Sequence, residues 1–146
     1  MDQTLVYFAG DVVVSALKKI AHPKGSVYHA LKSSDSSFHE FGEAYFTTVL
    51  QNEVKGWKKH TAMVLNLVVP VGDVSFYVHN DKTGESVEFR LGDGNYSRLT
   101  IKPHYWVAFK GRHSGLNLIL NIASIEHDPA EAVNAAVDAY PFPERS

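Results

Sequence analysis

Residues 54–69 read Val-Lys-Gly-Trp-Lys-Lys-His-Thr-Ala-Met-Val-Leu-Asn-Leu-Val-Val, a basic half followed by an apolar half. Successive side chains of a strand point to opposite faces, so Lys58, His60 and Asn66 would share one face. Trp57 and Lys59 would point the other way. We therefore predict one strand from Val54 to Val69, with a first half that faces a ligand and a second half that is buried.

Turn-forming residues divide the rest of the chain into short segments of strand-forming residues. Two dense turn signals are Pro70-Val71-Gly72-Asp73 and Gly92-Asp93-Gly94-Asn95. Short strands separated by such turns are typical of an antiparallel sandwich or barrel, so we predict an all-β fold. Besides the central strand, strands are expected within Leu5–Ile20, Val27–Leu31, Phe38–Leu50, Val74–His79, Val87–Leu91, Arg98–Ile101, Tyr105–Phe109 and Leu116–Ser124.

The C-terminal part has a helical pattern instead. Asp128 suits an N-cap, Pro129 suits the first helical turn, and Glu131 stands at the capping-box position. We predict one helix from about Pro129 to Tyr140, packed against the β body. The apolar residues expected to be mainly buried in that body are Val64, Leu67, Val68, Val74, Phe76, Val78, Leu118, Leu120 and Ile122.

Composition limits the classes of function. The 146 residues suit one domain spanning 1–146, and 45% hydrophobic with 21% charged residues is ordinary for a soluble protein. No apolar run approaches the roughly 20 residues that cross a bilayer. A net charge of −2 gives no basic field for nucleic acid, and the absence of cysteine excludes disulfides and thiolate sites. Met1-Asp2-Gln3 lacks the basic flank of a signal peptide, so a cytoplasmic location is expected.

Eight histidines raise the question of a metal. A metal site needs three or four ligands that converge, yet the central strand offers only His60, with no carboxylate in the residues that follow it. His104, His113 and His127 are expected on loops or at strand ends. We therefore predict neither a metal nor an organic cofactor.

Four stretches carry a family resemblance: Phe41–Phe46, Val54–His60, Leu99–Gly111 and His127–Pro129. With them the chain resembles, from Asp11 to His127, the short members of the dTDP-4-dehydrorhamnose 3,5-epimerase family and the related sugar 3,4-ketoisomerases. The resemblance implies an antiparallel cupin jelly roll that acts on a nucleotide-linked 4-keto sugar in polysaccharide or lipopolysaccharide biosynthesis. It also implies a homodimer paired through N-terminal strands, here Leu5 to Leu31.

The chain departs from this family at positions that carry chemistry. Lys58 stands where the family has its histidine base, and Val107 stands where longer epimerases have a further histidine. Asn121 falls at the position of the family's acid tyrosine. Of the His-x-His pair that ketoisomerases use on the central strand, the chain keeps only His60.

His60 and Lys58 are the catalytic candidates. A histidine can accept the carbon-bound proton that an adjacent ketone acidifies, although His60 could also be a hydrogen-bonded strand residue. Lys58 could be a fixed cation for diphosphate or an enolate oxygen. It could be the base only if burial or the neighbouring lysines favoured its neutral form.

Further residues are candidates for substrate binding. Lys24 takes the place of a family arginine that contacts the diphosphate, often across a subunit boundary, and could otherwise be a solvated turn residue. His29 aligns with a family glutamate, and Trp106 could stack on a base or belong to the core. Asn66 could bind the sugar or a backbone group. The full set is Lys24, His29, Lys55, Asn66, Trp106 and Asn121.

Three hypotheses of function follow. The first is a metal-free epimerase, at C3 or at C3 and C5, or a 3,4-ketoisomerase, of a nucleotide diphosphate-4-keto-6-deoxysugar. The second is a catalytically lapsed cupin that binds a nucleotide sugar as a scaffolding or binding protein. The third is a structural sandwich with no small ligand.

Overall fold

Two antiparallel sheets face each other across an apolar core in the computed structural model, which describes residues 4–143. One sheet has the order β1-β2-β10-β7-β12-β5 and the other β13-β6-β11-β8-β9, while β3 and β4 form a separate hairpin. This confirms the predicted all-β, antiparallel architecture and is consistent with a cupin jelly roll. The strands are β1 Thr4–Tyr7, β2 Val12–Ala16, β3 Lys19–Ile20, β4 Val27–Tyr28, β5 Glu43–Thr48, β6 Val54–His60, β7 Leu65–Val71, β8 Asp73–Asn80, β9 Glu85–Gly92, β10 Ser97–Ile101, β11 Trp106–Gly111, β12 Leu118–Ala123 and β13 Ala132–Asn134.

The central stretch is two strands rather than one. It breaks at residues 61–64, so that β6 lies in one sheet and β7 in the other. The backbone N–H groups of the break donate to side chains, chiefly to the carboxylate of Glu131, and the N–H of Thr61 donates to the backbone carbonyl of Glu131 as well. The prediction of a continuous strand is therefore wrong, and Asn66 does not continue the face of Lys58 and His60.

The core is mostly the predicted one, with an error on β12. Val64, Leu67, Val68, Val74, Phe76 and Val78 are buried, but Leu118, Leu120 and Ile122 are only partly buried. Ile119, Asn121 and Ala123 are the buried residues of β12. The strand is apolar on both faces, so its sequence pattern does not show which face is inside, and an error of one residue exchanges the faces.

The predicted C-terminal helix is absent. Pro129–Glu131 form a single 3₁₀ turn, in which the Asp128 side chain does accept a hydrogen bond from Ala130 N–H at 3.0 Å. The chain then continues as β13, which pairs with β6 and completes the edge of the five-stranded sheet. Strand pairing at an open edge therefore outweighs a weak local helical preference.

The outer face of the five-stranded sheet carries an aromatic cluster, defined here as Trp57, Tyr77, Trp106, Tyr140 and Phe142. The Phe142 ring stacks on Trp57 at 5.2 Å, and the Trp57 indole N–H donates to the Val137 carbonyl. The segment 135–142 is thus fixed across the back of β6. Within residues 4–143 there is no helix that is long and apolar enough to cross a membrane.

Candidate active site

A cavity of about 370 Å³ opens between the two sheets. Its floor is apolar, and its polar residues come from both sheets and from the C-terminal segment. Among the described residues, the lining includes two lysines and two histidines and no carboxylate, so it suits an anionic ligand. The floor consists of Leu65, Leu67, Phe76, Val107, Phe109 and Ile119; the polar lining residues are Tyr45, Thr47, Lys55, Lys58, His60, Asn121, His127 and Asn134.

Strand β6 directs Lys58 and His60 into this cavity. The two residues alternate with Trp57 and Lys59, which lie in or against the aromatic cluster on the other face. The predicted shared face of Lys58 and His60 is therefore present. Lys58 is exposed and has no ion-pair partner within residues 4–143, whereas His60 is partly buried.

Lys55 lines the same cavity because the strand is irregular at Gly56. Strict alternation would place Lys55 on the face of Trp57, but the pairing of β6 with β11 shifts between Val107 and Phe109. Gly56 has φ +143°, and a Cβ there would lie 2.5 Å from the Cβ of Ala108. Only glycine fits this bulge, which adds a second lysine to the cavity.

His60 is held by the buried carboxylate of Glu131, a residue whose position after Asp128 predicts a helix cap. The Nδ1 of His60 lies 2.7 Å from Oε1 of Glu131, and Oε2 accepts hydrogen bonds from the backbone N–H groups of Thr61, Ala62 and Met63, each at 3.0 Å. An ionised carboxylate can only accept, so Nδ1 carries the hydrogen. In the neutral imidazole the lone pair is therefore on Nε2, where a base needs it.

The surroundings of Glu131 keep it ionised. Burial, the largest single influence, would raise the pKa of Glu131, but the hydrogen bonds from His60 and from the N–H groups of Ala62 and Met63 together lower it below its ordinary 4.5. A carboxylate that accepts several N–H bonds behaves in this way. The His60–Glu131 pair thus places the imidazole of His60 against a fixed negative partner.

Asn121 lines the cavity and is almost completely buried. Its amide Nδ2 lies 3.0 Å from the hydroxyl of Tyr45, a residue outside the set of predicted site residues. The local pattern does not distinguish Tyr45, because it stands in a strand with several aromatic and threonine residues.

Four predicted site residues lie elsewhere. Asn66 is buried on the opposite face of β7, where its side chain bonds the Ser37 carbonyl and the Thr100 hydroxyl. Trp106 belongs to the aromatic cluster, and its indole N–H donates to Asp81. Lys24 lies at the exposed tip of the β3–β4 hairpin, and His29 follows β4; neither lines this cavity.

Metal-binding side chains do not gather in the described part of the chain. No group of three or more His, Asp or Glu residues is arranged there to hold a metal ion.

Solved structures resemble this chain over most of its length. A dTDP sugar isomerase from Desulfovibrio desulfuricans G20 is 32% identical with a TM-score of 0.86, covering 90% of this chain and 89% of that one. A 4-keto-6-deoxy sugar epimerase from the novobiocin biosynthetic gene cluster of Streptomyces spheroides is 13% identical (TM-score 0.84; 94% and 75% covered). A sugar 3,4-ketoisomerase from Thermoanaerobacterium thermosaccharolyticum in complex with TDP is 22% identical (TM-score 0.73; 84% and 87% covered). The epimerase and the ketoisomerase are too distant in sequence to show more than the fold that this chain shares with them. No family model and no curated protein matches the chain.

Replacing Glu131 with glutamine tests the contribution of its carboxylate to the stability of the fold. We expect Glu131→Gln to lower the free energy of unfolding at pH 7 by about 1–3 kcal/mol, because hydrogen bonds to a charged group are lost. Since the folded pKa of Glu131 lies below its unfolded value, this contribution is fully present above pH 4.5 and is lost as the pH falls through the folded pKa. Urea unfolding of both proteins from pH 7 to pH 3 measures the difference.

The control is Glu126→Gln, a change at an exposed glutamate in the same connection. It should leave stability within about 0.5 kcal/mol of the parent. Equal stability of Glu131→Gln and the parent across this range would contradict the assigned role.

Proposed function

Because this chain belongs to the family of dTDP-sugar isomerases, we propose that it is an isomerase of a nucleotide diphosphate-4-keto-6-deoxysugar. Epimerisation and 3,4-ketoisomerisation both begin with removal of a proton next to the ketone. The observation that carries the proposal is the His60–Glu131 pair at the wall of a cavity that no carboxylate of residues 4–143 lines.

His60 is the base in this reaction. Its Nδ1–H is engaged by Glu131, and Nε2 has no hydrogen-bond partner within the described residues. As Nε2 takes the proton, positive charge develops on the imidazole beside an ionised carboxylate, which stabilises it. Glu131 therefore acts as a positioning residue that fixes the tautomer.

Lys58 and Lys55 supply the positive charge. The enolate that forms on deprotonation is an anion, and the diphosphate of the substrate is another. Lys58 is exposed, so it lacks the burial that a lysine base requires, and we assign it the role of a fixed cation. The apolar floor leaves room for the deoxysugar, and Asn121 offers a buried amide beside it.

We also propose a homodimer, in which residues Leu5 to Leu31 form the contact. Leu5 and Val6 on the outermost strand of the six-stranded sheet are 58% and 60% exposed, and Val27 and Tyr28 of the hairpin are exposed as well. Exposed apolar residues along a sheet edge are suited to pairing with a second copy. Such a contact would let Lys24 or His29 reach the partner's cavity.

Deuterium exchange tests the base. In D₂O the parent should incorporate deuterium next to the ketone of TDP-4-keto-6-deoxyglucose, and His60→Asn should reduce that rate by at least about 100-fold, because general base catalysis typically contributes this much. NMR of the recovered sugar nucleotide measures the rate. His113→Asn, on an exposed loop, is the control and should exchange as the parent does.

The same experiment distinguishes an isomerase from a protein that only binds the sugar nucleotide. A parent that binds the sugar nucleotide without exchange would be a binding protein that has lost catalysis. Exchange that persists in His60→Asn would remove His60 from the base role.

The charge at position 58 can be tested separately. Lys58→Arg should keep affinity for the sugar nucleotide within a few-fold, whereas Lys58→Met should weaken it about tenfold or more, since a cation near an anionic ligand is lost. Titration calorimetry measures both. A lysine base would instead give normal binding but no turnover in Lys58→Arg.

Sedimentation tests the dimer. The parent should sediment at twice the 16.2 kDa chain mass, and Val6→Glu should sediment as a monomer because a buried charge would oppose pairing. Leu116→Glu, equally apolar and 52% exposed but outside Leu5 to Leu31, should remain dimeric. A monomeric parent at micromolar concentration would contradict the proposal.

A further inference from the structure

A second cavity lies on the outer face of the six-stranded sheet. Its volume is about 620 Å³, and its lining includes Arg98 of β10, residues of β2, and much of the segment 29–36 that follows the β3–β4 hairpin. Leu99 and Ile101 of β10 belong to the core between the sheets, so Arg98 points the other way. No residue lines both this cavity and the candidate active site.

The lining of this second cavity is polar and carries an excess of positive charge. Within residues 4–143, three cationic side chains line it, those of Lys18, Lys32 and Arg98, against the single carboxylate of Asp35. Hydroxyl groups complete the polar lining; they belong to Thr4, Ser15, Ser34 and Ser36. Ammonium, guanidinium and hydroxyl groups are the donors that bind phosphate and carboxylate groups in proteins. The lining therefore favours an anion.

Arg98 has a buried charge that is only partly compensated. Its side chain is 5% exposed, and its one ion-pair partner among residues 4–143 is Asp35, at 3.3 Å. Nη1 makes this contact and also donates to the Ala30 carbonyl at 2.7 Å. Burial lowers the pKa of Arg98 by more than Asp35 raises it. A further negative group beside the guanidinium would therefore stabilise its charge.

One complete edge of the Arg98 guanidinium is unused. Nε is buried without a hydrogen-bond partner, the only such side-chain nitrogen or oxygen within residues 4–143. Nη2 has no partner there either, but it is not completely buried, so it is the end of the edge that meets the cavity. An edge of this kind matches two oxygens of a carboxylate or phosphate. Arg90 uses the same edge, since its Nε lies 3.0 Å from Oδ1 of Asp73 and its Nη2 lies 2.6 Å from Oδ2.

We propose that the second cavity binds a small molecule through a phosphate or carboxylate group, with Arg98 as the bidentate donor and Lys18 and Lys32 as accompanying cations. A volume of about 620 Å³ is in the usual range of small-molecule sites, so the cavity has room for further atoms of the ligand. Its many hydroxyl groups suit a hydrophilic molecule. The inference is independent of the proposed function, because the two cavities share no residue.

NMR can observe the unused edge directly, because burial slows the exchange of the Arg98 Nε–H with water. Inorganic phosphate and acetate are titrated separately into the parent protein at constant ionic strength. We expect one or both to shift the Arg98 Nε–H signal and the backbone amide signals of residues 29–36, with saturation at roughly millimolar concentration, as suits a ligand of a few atoms. The probe that binds more tightly identifies the anionic group of the ligand.

Three variants complete the test. Arg98→Lys keeps the charge but loses the bidentate edge, so affinity for the probe should fall about tenfold or more. Asp35→Asn removes the competing carboxylate, while its side-chain oxygen can still accept from the Lys32 N–H, so affinity should rise about threefold or more. A variant that merely damaged the fold could not bind more tightly. Arg90→Lys makes the same change at an exposed arginine outside the cavity and should match the parent.

Three results would overturn the inference. The first is an Arg98 Nε–H signal that neither probe shifts, and the second is parental affinity in Arg98→Lys. The third is a signal that changes with protein concentration but not with either probe, which would place a second copy of the chain on the cavity, since the proposed dimer contact includes part of its lining. Lys58→Met, altered only in the candidate active site, should bind the probes at Arg98 as the parent does. Failure of the proposed function would therefore leave this inference standing.

Discussion

The carboxylate of Glu131 stabilises residues 61–64, where the chain leaves the five-stranded sheet and enters the six-stranded sheet. One oxygen binds His60 at the end of β6, and the other accepts three consecutive N–H groups of the crossing segment. Without the carboxylate, the N–H groups of Ala62 and Met63 would be unpaired, which costs free energy, whereas the N–H of Thr61 also donates to the backbone carbonyl of Glu131. The same interaction therefore shapes the crossing and orients the imidazole of the proposed base, so one side chain serves both the fold and the candidate site.

Strand β6 separates the cavity from the aromatic cluster. Its inner face presents Lys58 and His60 to the cavity, while its outer face is covered by Trp57 and the segment 135–142. The strand is flanked by β11 on one side and β13 on the other. Packing on the outer face and pairing at both edges give firm support to these two polar side chains, as the proposed roles in catalysis would require.

The sequence predicted the fold class and part of the site for identifiable reasons. The orientation of Lys58 and His60 followed from the period of a strand, which applies wherever pairing is regular. The position of Lys55 could not be predicted in this way, because a bulge at Gly56 changes the face.

The remaining errors arose from contacts distant in sequence. Asp128 with Glu131 has the local signature of a helix cap, but Glu131 bonds residues about 70 positions earlier, and only the folded chain shows this. Tyr45 and Asn121 are likewise brought together by strand pairing across 76 residues. The family resemblance identified position 121 as a candidate for the site, but it could not show which side chain forms a hydrogen bond with Asn121.

The aromatic cluster sets the surroundings of the tryptophans and hence their fluorescence. Both tryptophans of the chain belong to it, at 1% and 6% exposure, and their rings contact Tyr140, with Phe142 stacked on Trp57. Indole emission depends on the polarity of its surroundings, and here the C-terminal segment supplies the rings that pack on Trp57 and one ring that packs on Trp106. The intrinsic fluorescence of this protein therefore reports whether the segment that follows Glu131 is seated on the sheet.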